Sequence, residues 1–197
     1  MPDPELPLQT PLVASAAPAP AALVRQQPSA KFLLAHPAHF VALGFGSGLS
    51  PVAPGTAGTL WAWLSFLLLQ RWLSPADIGW LIAACIPLGW WVCTVTARNL
   101  QVLDPGCIVW DEIVAFWTVL WLVMPAGLLG QAVAFGLFRY FDAAKPGPVG
   151  WADRLSHGLA PATDRNAWSR AAFGIMADDL VAAGCTLMVI ALWRFFQ

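Results

Sequence analysis

The sequence is short of charge. Only 11% of its 197 residues are Asp, Glu, Lys or Arg and 58% are hydrophobic, whereas an ordinary soluble domain is about a quarter charged. That shortage argues against a fully solvated globule. Tyrosine occurs once against twelve Trp, and Trp favours membrane interfaces. With a formal charge of −1 and no basic stripe, the chain offers nothing for nucleic acid to bind. Histidine is scarce: His36, His39 and His157 all fall in expected loops and read as surface positions rather than metal ligands. The four cysteines, Cys85, Cys93, Cys107 and Cys185, lack CxxC spacing and lie in apolar runs, so they read as small buried hydrophobes, with neither disulfides nor zinc. The Pro/Ala-rich start carries Asp3 and Glu5 and lacks the basic n-region and apolar core of a signal peptide. Residues 1–35 are expected to be a disordered tail, and 36–197 a single membrane-embedded domain.

What the chain does have is apolar length. After a Gly- and Pro-dense stretch at 36–58, expected to be an irregular loop, five helical segments are predicted near 59–72, 78–97, 107–124, 128–141 and 174–196. The second runs twenty residues without a charge, enough to span a bilayer. The third reaches span length only with Asp111 and Glu112 counted in, and the uncharged run of the fifth, Leu180 to Trp193, has only fourteen residues. The expected fold is all-α: an integral membrane bundle of about five apolar helices, some short or re-entrant.

Alternating the direction of these segments has a consequence for charge. Asp111 and Glu112 start the third segment, Arg139 and Asp142 end the fourth, and Asp178 and Asp179 start the fifth, so all of them reach one membrane face. Of eleven acidic residues, only Asp77 falls on the other. Most Lys and Arg share the acidic face, which the positive-inside rule assigns to the cytoplasm.

One carboxylate pair at a helix start needs no explanation beyond the helix dipole, worth about 0.3–1 kcal/mol. Two pairs plus Asp142 at one face repel one another unless a cation is present. A hard divalent ion suits an all-oxygen set and tolerates a substrate phosphate, so Mg²⁺ is the expected cofactor, with Asp111, Glu112, Asp178 and Asp179 as ligands. Arg139 and Lys145 flank Asp142 at spacings of three and are candidate phosphate binders. The stretch "GFGSGLSPVAPGTAGT" leads into the first segment, where free backbone N–H groups bind anions, and Ser47, Ser50, Thr56 and Thr59 add hydroxyls. It is not a Walker loop, because no GK[ST] follows. Together these features point to a phosphorylated substrate. The non-enzyme alternative is a small ion-coupled transporter that uses the same carboxylates.

Four blocks, "GFGSGLSPVAPGTAGT", "IVWDEIVAFW", "FRYFDAAKPGPVGWADR" and "GIMADDLVAAG", resemble in order and spacing the phosphatidylglycerophosphatase A family, over about residues 36–197. The resemblance implies a Mg²⁺-dependent, multi-pass inner-membrane phosphatase that hydrolyses phosphatidylglycerophosphate to phosphatidylglycerol and phosphate. It carries the family's acidic motif residues onto Asp111, Glu112, Asp142, Asp178 and Asp179, and its Lys-Pro motif onto Lys145 and Pro146. The chain departs from the family pattern at Ala115, often Gly, and in the polar insert "LAPATDRNAWSRAAF" between Gly158 and Gly174.

Overall fold

The computed structural model describes residues 28–196, and these form a bundle of helices. Two short helices, α1 (Ala30–Ala35) and α2 (Pro37–Ala42), precede a 3₁₀ segment at Gly44–Leu49. Five long helices follow: α3 (Pro54–Trp72), α4 (Pro75–Leu100), α5 (Trp110–Leu122), α6 (Leu128–Ala144) and α8 (Ala167–Phe195), with the short α7 (Pro148–Asp153) between the last two. All five expected segments are present, with shifted ends.

Local chemistry sets those ends. Pro fills the first turns of α3, α4 and α7, where its missing N–H costs nothing. Ser74 and Asp77 form a reciprocal capping box at the start of α4. α4 ends at Gln101 and α6 at Lys145, both in the left-handed conformation that terminates helices.

Three expectations are corrected. The tail expected to reach residue 35 lies mostly outside the described residues, but Ala30–Ala35 is helical and buries Leu33. The stretch 36–58 is not one irregular loop: it holds α2, the 3₁₀ segment and the first turn of α3. The last helix begins at Ala167 rather than near Gly174, so Asp178 and Asp179 sit about three turns inside it.

α5 is the central element. Ile113, Val114, Ala115, Phe116 and Val119 have no exposed surface, and the helix packs on α3, α4, α6 and α8. Its 13 residues extend only about 20 Å, too short for a hydrocarbon core of about 30 Å. Its apolar composition is therefore satisfied by protein. Trp117 of α5 donates its indole N–H to Ala62 O at 2.9 Å, and Trp110 donates to Cys85 O at 3.2 Å. These tryptophans tie α5 to α3 and α4 from within, a use that the interface reading of Trp did not foresee.

Among the described residues, two helices, α4 and α8, are long and apolar enough to cross a membrane. Trp72, Trp80, Trp193, Phe195 and Phe196 are strongly exposed, a load of apolar surface expected of lipid contact rather than of water. The helices alternate in direction. Trp121 near the end of α5 donates to Pro75 O at the start of α4, and Arg194 at the end of α8 reaches Val123 O just after α5. The starts of α3 and α5 and the end of α6 consequently meet at the opposite end of the bundle.

Candidate metal and phosphate site

At that end the carboxylates converge. Glu112 lies in the first turn of α5, Asp142 in the last turn of α6 and Asp179 in α8; one oxygen from each falls within 4.8 Å of the other two. All three side chains are largely enclosed. The first turn of α3 closes the site from one side, because Gly55 and Gly58 bring its backbone against Glu112. A Cβ at Gly55 would stand 2.0 Å from Glu112 Oε1, and one at Gly58 would stand 3.1 Å from Oε2. The Glu112 carboxylate thus rests on a helix N-terminus, where the dipole favours negative charge.

Two cations reach this acid. Arg139 Nη1 donates to Glu112 Oε1 at 3.1 Å and to Asp142 Oδ2, and comes within 3.5 Å of Thr59 Oγ1. Lys145 Nζ donates to Asp178 Oδ2 at 2.6 Å and to Asp153 Oδ1. Burial works against the Lys145 charge, but these hydrogen bonds outweigh it and hold the ammonium above the ordinary lysine pKa. Asp178 also accepts the Asp179 backbone N–H at 3.1 Å, so both its oxygens are engaged.

Asp111, Glu112 and Asp179 are not satisfied in this way. Among the described residues, no hydrogen-bond partner reaches Asp111 Oδ1, Glu112 Oε2 or Asp179 Oδ2, and all three atoms are buried. A buried, unpartnered carboxylate oxygen is costly. Among the described residues, six carboxylates here (Asp111, Glu112, Asp142, Asp153, Asp178 and Asp179) face Arg139 and Lys145. Orphaned oxygens, excess negative charge and an all-oxygen donor set together fit a hard divalent cation. Glu112, Asp142 and Asp179 are the residues placed to hold one, with Asp111 adjacent.

The other expected site residues are distributed less evenly. Thr59 is buried at the site and donates to Gly55 O at 2.9 Å while facing Arg139. Thr56 lies in the first turn of α3. Ser47 and Ser50 turn their hydroxyls onto their own loop, donating to Gly44 O and Val52 O. His39 is buried rather than exposed: it stacks on Phe32, and its ring nitrogens pair with Phe32 O and Asn99 Nδ2. His157 is exposed, 3.7 Å from Asp153.

Sequence reasoning missed Asp153. It belongs to the short helix α7, which Pro148 initiates just after the left-handed turn at Lys145, and that turn folds Asp153 back onto the lysine. The signal available was an acid eight residues after Lys145 in a Pro/Gly-broken stretch.

The family model for phosphatidylglycerophosphatase A matches residues 40–194, which include every residue of this site. The chain belongs to the phosphatidylglycerophosphatase A family. A phosphatidylglycerophosphatase A of Escherichia coli (strain K12) is 36% identical over 154 residues, 76% of this chain and 78% of its own length. One of Haemophilus influenzae (strain ATCC 51907 / DSM 11121 / KW20 / Rd) is 35% identical over 169 residues, 85% of this chain and 95% of its own. No solved structure matches significantly. Family membership gives the carboxylate cluster its context: a helical bundle whose relatives are named for removing a phosphate from a lipid.

Proposed function

We propose that this chain is a Mg²⁺-dependent phosphatase that hydrolyses phosphatidylglycerophosphate to phosphatidylglycerol and inorganic phosphate at the cytoplasmic face of the inner membrane. The observation that carries the reading is the Glu112–Asp142–Asp179 cluster, with its orphaned oxygens beside Arg139 and Lys145. When bound there, Mg²⁺ would polarise the phosphoryl oxygens and lower the pKa of a coordinated water.

The protein's own residues do the rest. Arg139 and Lys145 supply positive charge where charge builds on the phosphoryl oxygens. Asp153 and Asp178 hold Lys145 in place. Val109 packs against the start of α3 and, with the buried face of α5, keeps water from the inner side of the cluster. The phosphomonoester bond breaks, water adds to phosphorus, and the glycerol hydroxyl leaves with a proton. The Lys and Arg that collect at this end of the bundle support a cytoplasmic orientation.

The test is phosphate release by detergent-solubilised protein from phosphatidylglycerophosphate, phosphatidic acid and lysophosphatidic acid, with and without Mg²⁺. Release from phosphatidylglycerophosphate that disappears in EDTA and returns with Mg²⁺ is expected. Undiminished release in excess EDTA would sink the metal reading. Ion-driven uptake into liposomes with no phosphate release would replace the enzyme reading with a carrier.

A further inference from the structure

Arg139 is in an unusual place for a substrate-binding residue. Its Nη1 contacts two of the three carboxylates that make up the candidate metal cluster, Glu112 at 3.1 Å and Asp142. Lys145, by contrast, binds Asp153 and Asp178, neither of which is in the cluster. One cation thus lies in the metal site and the other beside it.

A guanidinium does not deprotonate in a protein. It cannot yield to an incoming metal ion by losing its charge, as a lysine can. Two cations drawing on the same enclosed carboxylates repel strongly where water is scarce. Arg139 must therefore move when a divalent ion enters. It has a route to do so, because its side chain keeps 20% of its surface exposed, and among the described residues its one further hydrogen-bond contact there is Thr59 Oγ1 at 3.5 Å.

We infer that Arg139 is an exchangeable counter-cation. It neutralises Glu112 and Asp142 while the metal is absent, is displaced from them by the divalent ion, and is then free to bind the phosphate of the substrate. Metal loading and phosphate binding are coupled through this one side chain. By linkage, phosphate in turn strengthens metal binding, because it holds Arg139 away from the carboxylates.

The inference rests on the proposed metal site, and the experiment separates the two. Mn²⁺ binding to purified, metal-stripped protein in detergent is measured by electron paramagnetic resonance, with and without inorganic phosphate, for the wild type, Arg139→Gln and Asp179→Asn. Circular dichroism confirms that each is folded. Arg139→Gln should bind Mn²⁺ about tenfold or more tightly than the wild type. Phosphate should tighten Mn²⁺ binding to the wild type clearly more than to Arg139→Gln, in which only direct contact between phosphate and the ion remains. Weaker or unchanged Mn²⁺ binding by Arg139→Gln would overturn the exchange and make Arg139 a fixed positioner of the carboxylates. An equal phosphate effect in both proteins would overturn the coupling. If Asp179→Asn binds Mn²⁺ as well as the wild type, it is the metal site itself that fails. Should Arg139→Gln not fold, Arg139→Lys serves the same comparison, because the shorter ammonium cannot contact both carboxylates in the same way.

Discussion

Gly55 and Glu112 occupy space that only a glycine leaves free: a Cβ on Gly55 would stand 2.0 Å from Glu112 Oε1. The glycines of "PGTAGT" are therefore needed for close approach. They let the first turn of α3 press on the same carboxylate oxygen that Arg139 holds. Removing that freedom should move Glu112 without touching any charged group.

Gly55→Ala should lower phosphatase activity by about 100-fold or more, the scale on which a misplaced catalytic group is felt. Gly136→Ala is the control, since a Cβ at Gly136 meets nothing within 4 Å. In mid-helix it should leave activity intact and stabilise the protein by about 0.5–1 kcal/mol. Parallel measurements of phosphate release and thermal unfolding check both; wild-type activity in Gly55→Ala would show that Glu112 does not need its present position.

Asp179 should be costly to stability and essential to activity. Its Oδ2 is buried without a partner, and Asp111, Glu112 and Asp142 are its charged neighbours. Asp179→Asn removes one of these mutually repelling charges. In EDTA the variant should unfold about 2–4 °C above the wild type, corresponding to about 1 kcal/mol, while losing detectable phosphatase activity. With Mg²⁺ present the wild type should close or reverse that gap, because binding to the folded state alone stabilises it. A melting point in EDTA that falls on substitution would count against an uncompensated charge at this position.

The sequence made the fold legible where periodicity and length were strong. Segments near 78–97 and 128–141 became α4 and α6 with a few residues added at their ends. The acidic face was legible too, because alternating helices bring Asp111, Glu112, Asp142, Asp178 and Asp179 together however their ends are drawn. The division of labour among those five was not. Asp178 and Asp179 are neighbours in sequence, yet their side chains diverge by about 100° around α8, so one holds Lys145 and the other joins Glu112 and Asp142. α5 was legible in part: a short helix was expected there, but not its burial inside protein. Apolar composition cannot distinguish a helix buried in protein from one buried in lipid, and α5 is the former. Asp153 was hidden because its role depends on the left-handed turn at Lys145, which no side-chain pattern announced.

Asp153 acts through Lys145, and a double-mutant cycle can show it. Asp153→Asn removes one of the two carboxylates that accept from Lys145 Nζ. It should raise KM for phosphatidylglycerophosphate about tenfold, or about 1.4 kcal/mol, and leave the Mg²⁺ concentration for half-activity unchanged. Lys145→Met should cost more, and the double variant should be no worse than Lys145→Met alone. Additive losses would mean that Asp153 contacts substrate or metal independently.

The exposed face of α8 should depend on lipid. Met188 is 65% exposed in the apolar stretch beyond Asp179, and from Asp179 to Phe195 the helix rises about 24 Å. A lipid-facing arginine near the centre of such a span costs about 2.5–3.5 kcal/mol in insertion. On the surface of a water-soluble bundle the same residue would be harmless and would improve solubility. Met188→Arg should therefore reduce the amount of protein that stays with membranes after a carbonate wash, while Met188→Leu matches the wild type. If the wild type itself washes off, or if Met188→Arg is recovered from membranes in full, α8 does not meet lipid along this face, and the exposed Trp193, Phe195 and Phe196 at its far end need another partner.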